Sequence, residues 1–121
     1  MQLNEYQQKA MSTCMDTCNN FSYMMLNLVG EVGELASKVA KAIRKDKAVV
    51  DFNQFISEHG NNAMTTEELT DLRKEAGDIL WQLSGLCTVM GWSLEEVAME
   101  NLSKLASRKE RNVIDGNGDN R

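Results

Sequence analysis

The chain has 121 residues, 42% hydrophobic and 26% charged, with a formal net charge of −5 and a pI near 4.9. That length supports one packed core, and the acidity argues against a nucleic-acid polymer or an anionic membrane as partner. No apolar run approaches the roughly 18 residues of a membrane span, the first residues do not read as a signal peptide, and three cysteines fit reduced thiols in a cytoplasmic protein.

The chain contains no proline, so no helix is forced to break. The pattern from Leu3 to about Cys18 predicts a first helix, with Asn4 as its N-cap. A second is predicted from about Tyr23 to Arg44, ending in "IRKDK", whose cations suit a helix C-terminus. Residues 46 to 64, "DKAVVDFNQFISEHGNNAM", are irregular; a short helix around Asp51 to Glu58 and a "GNN" stop are expected there. "TTEE" then reads as a capping box, with Thr65 at the N-cap and Glu68 as its partner. Leu69, Leu72, Ala76, Ile79, Leu80, Leu83 and Leu86 follow at helical spacing, and the helix stops near Gly91. "SLEE" repeats the start signal at Ser93. The last helix runs to about Arg111, and residues 111 to 121 form a polar tail whose composition alone predicts a solvated end. With no strand pattern, the expectation is a single all-α domain over residues 1–121, resembling a four-helix bundle.

Two of these helices carry the same device. "EVGE" sets Glu31 and Glu34 three residues apart around Gly33, and "EAGD" sets Glu75 and Asp78 three apart around Gly77. Each pair projects from one side of its helix, at the edge of the apolar stripe. A single such pair is most often a solvated flank. Two pairs, each enclosing a glycine that costs a helix roughly 1 kcal/mol, ask for a reason. If the helices pack antiparallel, four carboxylates converge, and each like-charge pair at about 4 Å costs roughly 4 kcal/mol at an effective dielectric near 20. A cation offsets that cost. Oxygen ligands select a hard divalent ion, Mg²⁺ with Mn²⁺ as the alternative. A ferritin-type di-iron site needs Glu-x-x-His on two helices, and the single histidine, His59, is on neither. On the last helix Asn101, Lys104 and Arg108 fall at i, i+3 and i+7, one face suited to phosphate oxygens. Cations there also complement a helix C-terminus with no ligand at all.

At this point the residues resemble a family. "GEVGELASKVAK", "LRKEAGDILWQL" and the run from "SLEEVAMENLSKLASRKERN" to the closing "GDNR" are similar to the MazG-like all-α nucleoside triphosphate pyrophosphohydrolases of the short, single-domain type. The resemblance implies that Glu31, Glu34, Glu75 and Asp78 bind Mg²⁺ and that Asn101, Lys104 and Arg108 contact the triphosphate. Arg121, in the closing "GDNR", would bring a further guanidinium to phosphate. The implied reaction is attack by metal-activated water at the α-phosphorus, giving (d)NMP and pyrophosphate, with Glu34 the choice for general base. The family also implies a homodimer or homotetramer with its site near an interface. Two departures stand out: Gly30 where many members have a further glutamate, and a longer gap between the acid pairs. Two other readings remain beside this one, a helical module that binds metal and nucleotide without turnover, and a purely structural helical oligomer. Base identity is not legible, because Trp81, Trp92, Phe21 and Tyr23 serve a core more readily than a stacking site.

Overall fold

In the computed structural model, which describes residues 1–121, four helices carry the chain: α1 (Leu3–Met11), α2 (Phe21–Arg44), α3 (Thr66–Val89) and α4 (Leu94–Glu110). The all-α class expected from the sequence is the one observed. The two longest helices, α2 and α3, pack antiparallel: Met24 meets Gly85 at one end, and Ala42 packs with Met64 and Leu72 at the other. The Met24 side chain fills the space a Cβ at residue 85 would need, so any larger residue there would have to displace it.

α1 runs beside the second half of α3. Gln7 donates to Thr88 at 3.0 Å, and the Trp81 indole donates to the Ala10 carbonyl at 3.1 Å. α4 is tied in at its N-terminal end, where Ser93 donates to Asn4 at 2.7 Å and the Leu94 amide donates to Gln7 at 2.8 Å.

The helix starts follow from local chemistry. Thr65 and Glu68 close both bonds of the predicted capping box, at 3.0 and 2.9 Å. Ser93 accepts from the Glu96 amide at 3.2 Å, the same signal at half strength. Asn20 accepts from the Tyr23 amide at 2.8 Å, which starts α2 at Phe21, two residues before the position predicted.

Three expectations need correction. The first helix ends at Met11, not near Cys18, and only a 3-10 turn (Asp16–Cys18) follows. Ser12 and Thr13 bond back to the Lys9 and Ala10 carbonyls at 2.5 and 2.6 Å, competing with the helix ladder. Asn4 is not the N-cap; Gln2 holds that place without a side-chain bond, and Asn4 reaches across to α4.

The short helix expected around Asp51 to Glu58 is absent as well. Two small hairpins stand there: β1 (Val49–Asp51) with β2 (Gln54–Ile56), and β3 (Glu58–His59) with β4 (Asn62–Ala63), both antiparallel. Phe52 and Asn53 form a two-residue turn with φ of 49° and 60°, the sign a type I′ turn demands at both positions. Gly60 at φ 61° opens the second turn. Short strands this small lack the alternation that marks strands in a sequence.

Candidate functional site

The antiparallel crossing of α2 and α3 brings the acids together. Glu31 and Glu34 from α2 and Glu75 from α3 each offer a carboxylate oxygen, and these lie within 4.8 Å of one another. Glu75 is buried, Glu31 half-buried and Glu34 exposed, so the cluster opens from the helix interface to the surface. One oxygen of Glu31 and one of Glu75, Oε2 in each, are buried with no hydrogen-bond partner. Buried carboxylate oxygens without partners are costly and call for a cation.

Burial, and then the charges of Glu34, Asp78 and Glu75, push the Glu31 carboxyl above its ordinary value. A long bond from Asn27, at 3.4 Å, pulls the other way. Asp78 lies outside the closest trio, but its charge reaches Glu31 and also, after burial, raises the Tyr6 phenol of α1. The expected quartet is therefore a tight trio with Asp78 beside it. A Cβ at Gly33 or Gly77 would meet nothing within 4 Å, so the space that these glycines leave is open; α2 and α3 do not use it to approach each other.

Sequence spacing does not single out Lys38 or Asn27, yet both touch the cluster. Lys38 sits four residues after Glu34, where an intrahelical pair would be the ordinary reading. Its ammonium instead crosses to Glu75 at 2.6 Å and, through that hydrogen bond first, the lysine is held above its usual range. Asn27 links Tyr23 and Glu31 along one face of α2, with bonds of 3.3 and 3.4 Å.

The cations of α4 lie elsewhere. Lys104 and Arg108 both hold Asp119 of the tail at 3.0 Å, and their hydrogen bonds keep the Asp119 carboxyl below its usual range. Arg108 is buried, Asn101 exposed. Arg121 donates to the carbonyls of Val113 at 3.1 Å, Ile114 and Gly118, and Arg111 holds its carbonyl at 2.8 Å. The tail thus folds back on the end of α4 and is held there by these contacts, although residues 114 to 120 remain exposed. No hydrogen bond or ion pair joins these basic groups to Glu31, Glu34, Glu75 or Asp78.

Residues 19–113 match the family model of the MazG nucleotide pyrophosphohydrolase domain. The chain belongs to the MazG family. The "Gene 37 protein" of Mycobacterium phage L5 is 39% identical over 106 residues, 88% of this chain and 81% of that relative. No solved structure matches. The span matched by the MazG domain holds both acid pairs and the α4 cations, and ends before the "GDNR" tail. MazG domains act on nucleotides and generally depend on divalent metal. An all-oxygen donor set with two orphaned, buried oxygens fits such an ion.

Proposed function

We propose that the chain is a Mg²⁺-dependent nucleoside triphosphate pyrophosphohydrolase, converting (d)NTP to (d)NMP and pyrophosphate. The observation that carries this reading is the Glu31–Glu34–Glu75 cluster with its two unpartnered buried oxygens. Those oxygens, with Asp78 beside them, would hold the ion. Bound there, Mg²⁺ supplies a lowered water pKa and charge to offset the phosphate oxygens, a role Mn²⁺ also fills. Glu34, the exposed member of the trio, would take the proton of an attacking water, with Glu75 held by burial and Glu31 half-buried beside it. Asn27 orients Glu31 from the neighbouring turn.

Asn101, Lys104, Arg108 and Arg121 are proposed to bind phosphate held by the acid cluster of a neighbouring copy, since no hydrogen bond or ion pair joins them to the cluster of their own chain. Asp119, a carboxylate held by Lys104 and Arg108 together, then occupies the place of a phosphate oxygen. The assembly is a homodimer or homotetramer. Incubation with Mg²⁺ and a panel of ribo- and deoxyribonucleoside triphosphates should release pyrophosphate and monophosphate in equal amounts. Release of orthophosphate and a diphosphate, or no release from any triphosphate, would defeat the proposal. Thermal stabilisation by Mg²⁺ and nucleotide without any turnover would instead identify a binding module.

A further inference from the structure

From the acid cluster a row of cations continues toward the C-terminal end of α2. Lys38, Lys41 and Lys45 follow at i, i+3 and i+7, within about 60° of one another around the helix axis and spread over about 10 Å along it. They rim a cavity of ≈ 140 Å³ between α2 and α3. Ala42, Met64 and Leu72 line it as well, and they belong to the small apolar core at this end of the helix pair. That volume is many times the ~10–15 Å³ that one water requires.

The charge of the row is largely uncancelled. Lys38 is paired with Glu75, but no carboxylate lies within 4.0 Å of Lys41 or Lys45. Two acids share the cavity, and each has a cation from outside the row. Lys47 holds both oxygens of Glu68, at 2.9 and 3.0 Å, and Lys74 lies 3.9 Å from Asp71. Complementing the C-terminus of α2 explains cations in the last turn only. It does not explain Lys38, nearly two turns further back, or a cavity beneath the row.

We propose, building on the pyrophosphohydrolase reading, that this groove receives the two terminal phosphates of the triphosphate, the part that leaves as pyrophosphate. The bond cleaved lies between the α- and β-phosphates, so the leaving end must start beside the acid cluster, as Lys38 does. A cation bound among the acids would take over Glu75 and free the Lys38 ammonium for the β-phosphate. Lys41 and Lys45 continue the line of positive charge over a length that accommodates a diphosphate. Ammonium groups are compact charges with three donors each and need no fixed approach, which suits a group that must be held and then released. The α4 cations are left for the α-phosphate side. The segment between the acid pairs also acquires a role: Met64 forms part of the cavity wall, and Asn62 bonds the Lys45 carbonyl at 3.2 Å.

Calorimetric titration with inorganic pyrophosphate in the presence of Mg²⁺ tests the subsite. Lys41→Met/Lys45→Met should weaken binding at least tenfold, whereas Lys9→Met, on a distant exposed site, should bind as wild type does. Lys41→Arg/Lys45→Arg should retain most of the affinity, which guards against a folding defect. Inhibition by nucleoside monophosphate should be unchanged in the Met variant. If wild type binds pyrophosphate and the Met variant binds it within twofold, the subsite is wrong and the pyrophosphohydrolase reading survives. If triphosphates are turned over but wild type shows no pyrophosphate binding, the subsite also falls. Failure of wild type in both assays overturns both.

Discussion

Glu31 is the residue whose environment most clearly bears the charge of its neighbours. Its carboxyl is raised above the ordinary 4.5, first by burial and then by three neighbouring carboxylates, so the folded chain holds its proton to higher pH than the unfolded chain does. The associated stability is complete below 4.5 and is lost as pH rises through the raised value. Metal-free protein should therefore melt at progressively lower temperature across that window. Glu31→Gln should flatten the trend, and Mg²⁺ should recover stability in wild type because it binds the native state alone. Calorimetric melts at several pH values check all three outcomes, and a Glu31→Gln profile parallel to wild type would contradict the assignment. Activity gives the companion test. Glu34→Gln or Asp78→Asn should remove Mg²⁺-dependent turnover and leave helicity by circular dichroism intact, since each substitution removes repulsion. The Glu31 environment was written in "EVGE" and "EAGD"; the Lys38 bridge was not, because its partner lies on another helix and spacing along one helix cannot show it.

At the scale of elements, the α3 start is fully specified by four residues. Thr65→Ala removes a side-chain cap and should cost about 1 kcal/mol, or several degrees in melting temperature for a chain of this size. Glu68, lowered to about 2 mainly by the Thr65 amide and then by Lys47, adds a pH signature of opposite sign to that of Glu31. Its stabilisation is present above 4.5 and is lost as pH falls toward about 2. Helix starts such as this one were legible because a cap is local chemistry. The hairpins of residues 49–63 and the end of α1 were not. The hairpins depend on Phe52 adopting a positive φ that its side chain does not advertise, and the helix end depends on Trp81, 71 residues from Ala10, taking a carbonyl that a longer helix would use. The contacts of the tail were illegible in its composition for a similar reason. Its composition is that of a solvated end, but Asp119 finds two cations on α4, one of them buried. Deleting residues 115 to 121 should lower kcat/KM at least about tenfold, and Asp119→Ala should lower the melting temperature by exposing an unpaired Arg108. A truncated chain with full kcat/KM would reduce the tail to a brace for α4.

At the scale of the molecule, the single chain is open. Its accessible surface is 8849 Å², against about 6,600 Å² expected for a folded monomer of this mass. The excess is roughly 2,200 Å² per chain, and a dimer covering it would bury about 4,400 Å² in total, within the range of obligate interfaces. Only 12 of 121 residues are buried, and the stripe that should form the core of α3 still exposes Leu69, Leu80 and Leu83. Two further apolar surfaces have no partner. Leu26 and Val29 share an open face of α2 with Gly33, beside the acid cluster, and Met99, Leu102 and Leu105 lie exposed along α4. The same helix carries Lys104 and Arg108, which pair with Asp119 of the tail and not with the acid cluster of their own chain. A second copy that covers the α2 face with α4 would bury apolar surface and bring phosphate-binding cations to the carboxylates in one step. Light scattering at low micromolar concentration should therefore show a dimer or tetramer. Leu26→Glu or Leu102→Glu should dissociate it, because a charge at a buried interface is left without a partner. Turnover should fall with assembly in each variant, although neither residue belongs to the acid cluster. Mixing the two should not restore activity if each surface is needed at every site. A strictly monomeric species with full kcat/KM would place the whole site within one chain and sink the shared-site assignment of Asn101, Lys104 and Arg108.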